Sequence, residues 1–245
     1  MAPRTFFLPF LSLCLIAHLH GTMSAEPLYH ICSSTPTYHT TYTSFHHSLS
    51  PLLHLLHTLA AKTSITGFAT ASSPDHHLHG LALCRGDVMR QDCKACVENA
   101  TIEISHLCPG KEEAIVWFDN CLLRYSDKDF IGEVDESNKF YMWNIYNISQ
   151  RQVFNRHLGE LMYELSSKAS SSHFFFATGE VEVIREKTMI YGLTQCSNDL
   201  SSGDCKACLD EVIGELPTCC SGKQGGRVLT ESCSIRYEVY PFYRT

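Results

Sequence analysis

Apolar residues recur with helical spacing in two long segments of the chain. At 44–62 and again at 150–167, leucines and other apolar residues repeat every three or four positions, which predicts two amphipathic helices. Pro51 lies inside the first pattern, so we expect the regular helix there to begin near that residue. Two further helices are predicted at about 93–107 and 204–216, capped by Asp92 and Asp204.

The other apolar runs are short and predict strands. They lie at 28–32, 65–70, 78–84, 140–143, 174–178, 189–196, 225–229 and 233–240, with one long strand or a hairpin at 114–125. Strands and helices in this order predict an α+β fold of layered strands and helices.

A cysteine pattern, C-x8-C-x2-C, occurs twice and organises these elements. The copies begin at Cys84 and Cys196, which lie 112 positions apart. Further positions are related by the same offset: Cys108 and Cys220, Cys121 and Cys233, and Tyr125 and Tyr237. An internal repeat of this length indicates two homologous modules in tandem.

Residues 1–25 have the features of a secretory signal peptide. Arg4 supplies the positive charge, a short apolar run follows, and small residues precede the expected cleavage after Ala25. No other apolar run is long enough to span a membrane. We therefore expect a soluble, secreted protein without a membrane span.

Of the 13 cysteines, Cys14 leaves with the signal peptide and the other twelve divide equally between the modules. An even number in an oxidising compartment favours disulfides. Zinc is the competing interpretation of the two C-x2-C pairs, but the signal peptide disfavours it. We predict no bound metal and no cofactor.

The formal net charge of −7 argues against nucleic acid and anionic membranes as partners. Motifs typical of hydrolases, metalloproteases and nucleotide-binding enzymes are absent from the sequence. The C-x2-C pairs belong to a repeated structural pattern, unlike a redox motif. We therefore predict a protein that is not an enzyme.

The doubled cysteine pattern and several shorter motifs identify a family resemblance. The motifs are Tyr191-Gly-Leu, Gly-Gly-Arg227-Val and Arg-Tyr-Glu238-x-Tyr-Pro-Phe. Together they resemble the plant cysteine-rich repeat secretory proteins, which carry two ginkbilobin-type (Gnk2-homologous, DUF26, stress-antifungal) domains. The resemblance implies that each module has a five-stranded antiparallel sheet, two helices and three disulfides. It places the modules at 26–131 and 140–245, joined by a linker at 132–139.

The resemblance also implies the disulfide pairing. The implied pairs are Cys32 with Cys108, Cys84 with Cys93, Cys96 with Cys121, Cys196 with Cys205, and Cys208 with Cys233. In the second module Trp143 occupies the position of Cys32, so Cys220 loses its partner, and Cys219 is additional. A bond between these adjacent cysteines, two free thiols, or bonds to another chain all remain open.

Three residues of the second module match the mannose-binding residues of the ginkbilobin-type lectin: Asn144, Arg227 and Glu238. Carboxylate and amide oxygens accept bonds from sugar hydroxyls, and arginine presents a fixed fork of donors. The competing interpretation is structural, with Arg227 and Glu238 as a cross-strand ion pair and Asn144 as a turn residue. The first module differs at all three positions, which hold Ser33, Ile115 and Ser126.

The resemblance favours a secreted, apoplastic protein of plant defence or stress, with antifungal activity as a further expectation. Its expected partner is a mannose-type carbohydrate. The alternative is a non-lectin interaction module that binds a receptor ectodomain or another cell-surface protein. Asn99 and Asn147 begin N-x-[ST] sequons and are predicted glycosylation sites.

Overall fold

The computed structural model describes residues 26–34, 42–62, 67–75, 77–183 and 187–244. The predicted signal peptide lies outside them. Along the described residues the chain repeats one series of elements: a strand, a helix, two strands, a second helical segment and two strands. This doubling confirms the α+β repeat that the sequence predicts.

The first module contains β1 (Tyr29–Cys32), α1 (Tyr42–Lys62), β2 (Phe68–Ser72), β3 (His79–Cys84), α2 (Arg90–Leu107), β4 (Ala114–Trp117) and β5 (Cys121–Ser126). The second module contains β6 (Phe140–Trp143), α3 (Arg151–Ser171), β7 (Phe176–Val183), β8 (Thr188–Cys196), α4 (Ser202–Gly214), the short α5 (Leu216–Cys219), β9 (Gly225–Leu229) and β10 (Cys233–Glu238).

Each module has one five-stranded antiparallel sheet, as the resemblance implies. The strand order is β1-β4-β5-β3-β2 in the first sheet and β6-β9-β10-β8-β7 in the second. These orders are equivalent under the repeat. The segment at 114–125 is a hairpin, because β4 and β5 pair antiparallel.

The two long helices of each module cover one face of its sheet and enclose the core. Small residues allow this close approach. A Cβ atom at Gly80 would lie 2.7 Å from Leu56 Cδ1, and one at the equivalent Gly192 would lie 2.9 Å from Leu165 Cδ1. Both positions therefore need glycine where the first helix of each module crosses the sheet.

A tyrosine at an equivalent position closes each core. Tyr125 and Tyr237 are both 0 % exposed, and each hydroxyl donates to a backbone carbonyl, of Lys111 at 3.0 Å and of Cys220 at 2.9 Å. Burial raises the pKa of both phenols. Because each hydroxyl has a partner, it can be buried without the cost of an unmade hydrogen bond.

Six disulfides join the twelve cysteines from Cys32 onwards. Five are the implied pairs: Cys32–Cys108, Cys84–Cys93, Cys96–Cys121, Cys196–Cys205 and Cys208–Cys233. In the sixth, Cys219 is bonded to its neighbour Cys220. Of the three possibilities that the sequence left open, the structure contains the bond between adjacent cysteines.

The predicted start of the first long helix is wrong. Helix α1 begins at Tyr42 and contains Pro51 in its interior. Leu49, which precedes the proline, is only 3 % exposed. Leu49 therefore buries apolar surface on the N-terminal side of the proline, and this burial offsets the backbone hydrogen bond that proline cannot donate.

The two predicted helix caps are also wrong, because each helix begins three residues before the predicted cap suggests. Ser201 caps α4, and its hydroxyl accepts a hydrogen bond from Asp204 N at 3.1 Å. Met89 is the cap position of α2. Asp92 and Asp204 are each the third helical residue, where an acidic side chain suits the positive end of the helix dipole.

The faces of the two sheets that point away from the helices pack against each other. Ile115 and Trp117 of the first sheet form an apolar cluster with Leu229 of the second, and all three are buried. Trp117 Nε1 donates to the Thr230 carbonyl at 3.2 Å. The edge strands β1 and β6 are also in contact: the rings of Tyr29 and Phe140 stack with 3.9 Å between their centroids.

The same kind of ion pair occurs twice across this interface, and each module supplies the arginine once and the acid once. Arg124 Nη2 of the first module lies 2.7 Å from Glu231 Oε2 of the second. Arg236 Nη1 of the second lies 3.3 Å from Asp119 Oδ1 of the first. Both the arginines and the acids are 112 positions apart. The modules are therefore related by an approximate two-fold axis, as in an isologous dimer.

Candidate functional site

Asn144, Arg227 and Glu238 lie on one face of the second sheet, at one end of its strands. Glu238 of β10 pairs with Gly225 of β9, and the Gly225 carbonyl accepts a hydrogen bond from Asn144 N at 2.9 Å. Residues opposite each other on antiparallel strands share a face. Asn144, which directly follows β6, thus forms a row with Gly225 of β9 and Glu238 of β10, and Arg227 lies two residues farther along β9 on that face.

Gly225 leaves space in the middle of this row. A Cβ atom on Gly225 would overlap Glu238 Oε2. The carboxylate therefore lies over the glycine that separates it from Asn144. A side chain on β9 at this position would displace the carboxylate, so the glycine and the acid depend on each other.

Glu238 is bound within its own module. It is 7 % exposed, and its Oε1 accepts a hydrogen bond from Arg236 Nε at 3.1 Å. Arg236 is in turn held against the Phe242 ring, with 4.0 Å from Cζ to the ring centroid. The position of the carboxylate is thus set by an arginine that is itself packed on an aromatic ring.

Asn144 begins a turn. Its Oδ1 accepts a hydrogen bond from Tyr146 N at 2.9 Å, which is the geometry of an Asx turn. The side chain is half-buried. Asn144 therefore has the structural role that the competing interpretation gave it, and its amide Nδ2 is the group that remains to act as a donor.

Arg227 does not pair with Glu238 but with the other module. Its Nη1 donates to Asp119 Oδ1 at 2.5 Å, and Asp119 lies in the turn between β4 and β5 of the first module. The expected alternative of a cross-strand pair between Arg227 and Glu238 is therefore not what the structure contains. The three predicted residues share a face, and a residue of the first module joins them.

Several charged side chains meet at Asp119. Its Oδ2 also accepts a hydrogen bond from Arg85 Nη1 at 3.3 Å. Burial opposes ionisation of this carboxyl, but the charges of Arg227 and Arg236 outweigh burial and lower its pKa. The pKa of Arg227 is lowered by burial and by the charge of Arg236. Asp119 is therefore the counter-ion that allows two arginines to lie side by side.

Sequence reasoning missed Asp119 and Arg236. A signal was present, because the 112-residue offset relates Arg124 to Arg236 and the acid Glu231 to the acid Asp119. An acid and an arginine kept in both copies of a repeat indicate a contact used twice. In the first module, Ile115 and Ser126 occupy the positions of Arg227 and Glu238 and are buried.

A second charged cluster lies elsewhere on the interface. Arg124 Nη2 is within 3.1 Å of carboxylate oxygens of Glu113, Asp135 and Glu231. These three acids are close enough together to hold a cation, but the guanidinium lies among them and supplies positive charge. Burial, followed by the hydrogen bond with Asp135, raises the pKa of Glu231 to about 7.

The two sequon asparagines lie in different surroundings. Asn147 is exposed in the loop that follows β6, three residues after Asn144. Asn99 is half-buried within α2. An N-glycan on Asn147 would therefore lie beside the candidate site.

Comparison with known proteins agrees with this architecture. The sequence matches the family described as "Salt stress response/antifungal" twice, at residues 31–128 and 143–240. An antimicrobial ginkbilobin-2-like protein of Castanea crenata is 45 % identical over 230 residues, covering 94 % of each chain. Cysteine-rich repeat secretory protein 38 of Arabidopsis thaliana is 41 % identical over 251 residues, covering 99 % of this chain and 98 % of the relative.

The fold is also similar to a solved structure. The tandem DUF26 ectodomain of the Arabidopsis thaliana cysteine-rich receptor-like protein PDLP8 superposes with a TM-score of 0.72 at 23 % identity, covering 89 % of this chain and all of that one. At this identity the likeness shows the fold alone. Among the described residues, no helix has the length and apolar character needed to cross a membrane.

The doubled sheet and the doubled cysteine pattern define the class, a tandem pair of disulfide-stapled DUF26 modules. The chain belongs to the salt stress response/antifungal family, as the sequence motifs indicate. The two relatives named above are an antimicrobial and a secretory protein, which is consistent with a defence-related extracellular protein.

Proposed function

We propose that this protein is a secreted binding protein of the plant apoplast that acts in defence, and that its second module binds mannose-type carbohydrate. The observation that carries the proposal is the row formed by Asn144, Gly225 and Glu238, with Arg227 beside it on the same face. We place the boundary between the two modules at 132–139.

The chemistry of these groups suits a sugar. The Glu238 carboxylate accepts hydrogen bonds from hydroxyls, the Asn144 amide donates, and the planar fork of Arg227 donates in fixed directions. A buried polar group left unpaired is costly, so a ligand that lacks a matching hydroxyl binds poorly. Glu238 is already fixed by Arg236, so little side-chain entropy is lost when a ligand binds.

Calorimetric titration of the oxidised, secreted protein with mannose and with a mannan fragment tests the proposal. We expect saturable heat from the wild type and none from a folded Arg227→Ala, Glu238→Ala double variant. Ser234→Ala, a change on the same face of β10 but outside the row, is the matched control and should bind as the wild type does. Absence of saturable heat from the wild type would contradict the proposal.

A second candidate function is binding of an extracellular protein. The observation that favours it is the exposure of three large apolar residues beside Asn144: Trp143 is 53 % exposed, Ile145 78 % and Tyr146 63 %. Contiguous exposed apolar groups are typical of interaction surfaces. A Trp143→Ser, Tyr146→Ser variant that keeps mannan binding but no longer retains a receptor ectodomain in a pull-down would support this function.

A further inference from the structure

Asp119 belongs to the first module, yet it contacts the arginine of the proposed site in the second. It lies between β4 and β5, with its side chain 47 % exposed. Its Oδ1 is 2.5 Å from Arg227 Nη1 and 3.3 Å from Arg236 Nη1. One carboxylate oxygen thus joins the two arginines on the sugar-site face of the second sheet.

The hydrogen bond to Asp119 orients the Arg227 guanidinium. Among the described residues, Asp119 is the hydrogen-bond partner of Arg227, and it engages one terminal nitrogen. The Nε and Nη2 donors then remain for another ligand. A guanidinium donates two parallel hydrogen bonds to one ligand only when its plane is fixed. Here the plane of Arg227 is held by Asp119 of the neighbouring module.

Without Asp119 the surrounding charges would redirect Arg227. Arg236 repels it, and Glu238 attracts it. Loss of the carboxylate at position 119 would therefore favour a direct pair between Arg227 and Glu238. In that pair the two groups would satisfy each other, and neither would be available to a sugar hydroxyl.

We infer that Asp119 is a positioning residue of the sugar site, so that the site of the second module is complete only when the first module is docked against it. This inference rests on the proposed function. It gives the tandem arrangement a role in binding, because one module supplies the groups that contact the ligand and the other holds one of those groups in place.

The test compares mannose affinity in Asp119→Ala, Asp119→Asn and Asp119→Glu, with Arg227→Ala as a reference. Loss of a charge-assisted hydrogen bond predicts affinity at least about tenfold weaker for Asp119→Ala. Asp119→Asn should also bind weakly, because it keeps the shape but not the charge. Asp119→Glu restores the carboxylate and should recover part of the affinity. Rescue by charge distinguishes positioning from packing.

Glu231→Ala is the matched control. Glu231 is the repeat equivalent of Asp119, and it too pairs with an arginine of the other module, but it contacts none of the predicted site residues. We expect wild-type mannose affinity from folded Glu231→Ala, with the folding of every variant checked by its melting temperature.

Three outcomes would overturn the inference. In the first, Asp119→Ala binds as the wild type does while Arg227→Ala does not, which leaves the proposed function intact. In the second, Asp119→Ala and Glu231→Ala lose the same affinity, which indicates a general effect of loosening the interface. In the third, the wild type does not bind mannose, and the proposed function fails together with the inference.

Discussion

Arg124 of the first module and Glu231 of the second form an ion pair at the module interface in which both side chains are almost fully buried, 6 % and 2 % exposed. The same guanidinium contacts Glu113 and Asp135 and lies 4.1 Å from the centroid of the Phe130 ring. The Arg124 guanidinium is thus the shared counter-ion of three acidic side chains. The association of the modules depends on charge at this point as well as on the apolar cluster around Trp117.

Replacing Arg124 should therefore be costly. Arg124→Ala leaves buried carboxylates without their cation, and removal of one partner from a buried ion pair typically costs about 3–5 kcal/mol. Urea denaturation measures this loss in the free energy of unfolding. Lys168→Ala is the comparison, because its pair with Glu164 is more than half exposed and should contribute less than about 1 kcal/mol. Equal losses in the two variants would contradict the assignment.

Stability should fall as pH rises from about 4.5 to 7. Burial, and after it contact with another acid, raises the pKa values of Glu231 and Glu136 to about 7 in the folded protein. A group with a raised folded pKa contributes stability below its unfolded pKa, and this contribution is lost as pH rises through the folded value. At about 1.4 kcal/mol per pKa unit, the two groups together give an upper bound of roughly 6–7 kcal/mol. Because solvent partly screens them, the expected loss is on the order of 2 kcal/mol.

The groups that face Glu231 are Arg124, Glu113, Asp135 and Asn138. The pKa of Asp135 is lowered in spite of its burial, so its contribution is lost only in strong acid and does not cancel this effect. Urea denaturation at pH 5 and pH 8 gives the comparison. Glu231→Gln should flatten the dependence, and a wild-type protein that is more stable at pH 8 would show the sign to be wrong.

Gly225→Ala should abolish sugar binding in a folded protein. The added methyl group would overlap Glu238 Oε2 and move the carboxylate out of the row. Gly159→Ala is the control, because a Cβ there meets no atom within 4 Å and alanine stabilises a helix interior by up to about 1 kcal/mol. The measurement is mannan retention together with the melting temperature. Full retention by folded Gly225→Ala would exclude Glu238 from the site.

The two kinds of disulfide in the second module should differ in their contribution to stability. Cys208–Cys233 joins residues 25 positions apart, and by the chain-entropy argument a loop of that size is worth roughly 3 kcal/mol. Cys219–Cys220 closes no loop between distant residues. We expect Cys219→Ala, Cys220→Ala to unfold at nearly the wild-type urea concentration, and Cys208→Ala, Cys233→Ala to unfold at a much lower one. Reversal of this order would contradict the argument.

The fold was predictable because the pattern of cysteines and apolar residues that indicates it occurs twice in the sequence. The cysteine pattern at Cys84 recurs at Cys196, and the apolar spacing around Leu52 recurs around Leu161. Agreement between copies removes most ambiguity about which runs are helices and which are strands. Element ends were less predictable. The start of α1 depends on burial of Leu49, a tertiary contact that the local effect of Pro51 does not reveal.

The candidate site was only partly predictable. Asn144, Arg227 and Glu238 came from a resemblance within one module, and that resemblance carries no information about the other module. The contact between Asp119 and Arg227 depends on how the two sheets pack, and no periodicity within either module encodes their relative placement. The repeat offset marks Asp119 and Arg236 as positions to examine, but it does not show that they meet.

Each of the six disulfides closes within a single module, so no sulfur bond crosses the interface. The backbone between β5 and β6 is then the covalent tether between two modules that otherwise associate non-covalently. The tether sets the effective concentration of one module at the surface of the other. A protein cut in this segment would behave as a heterodimer, whose assembly depends on dilution and salt, although every disulfide remained intact.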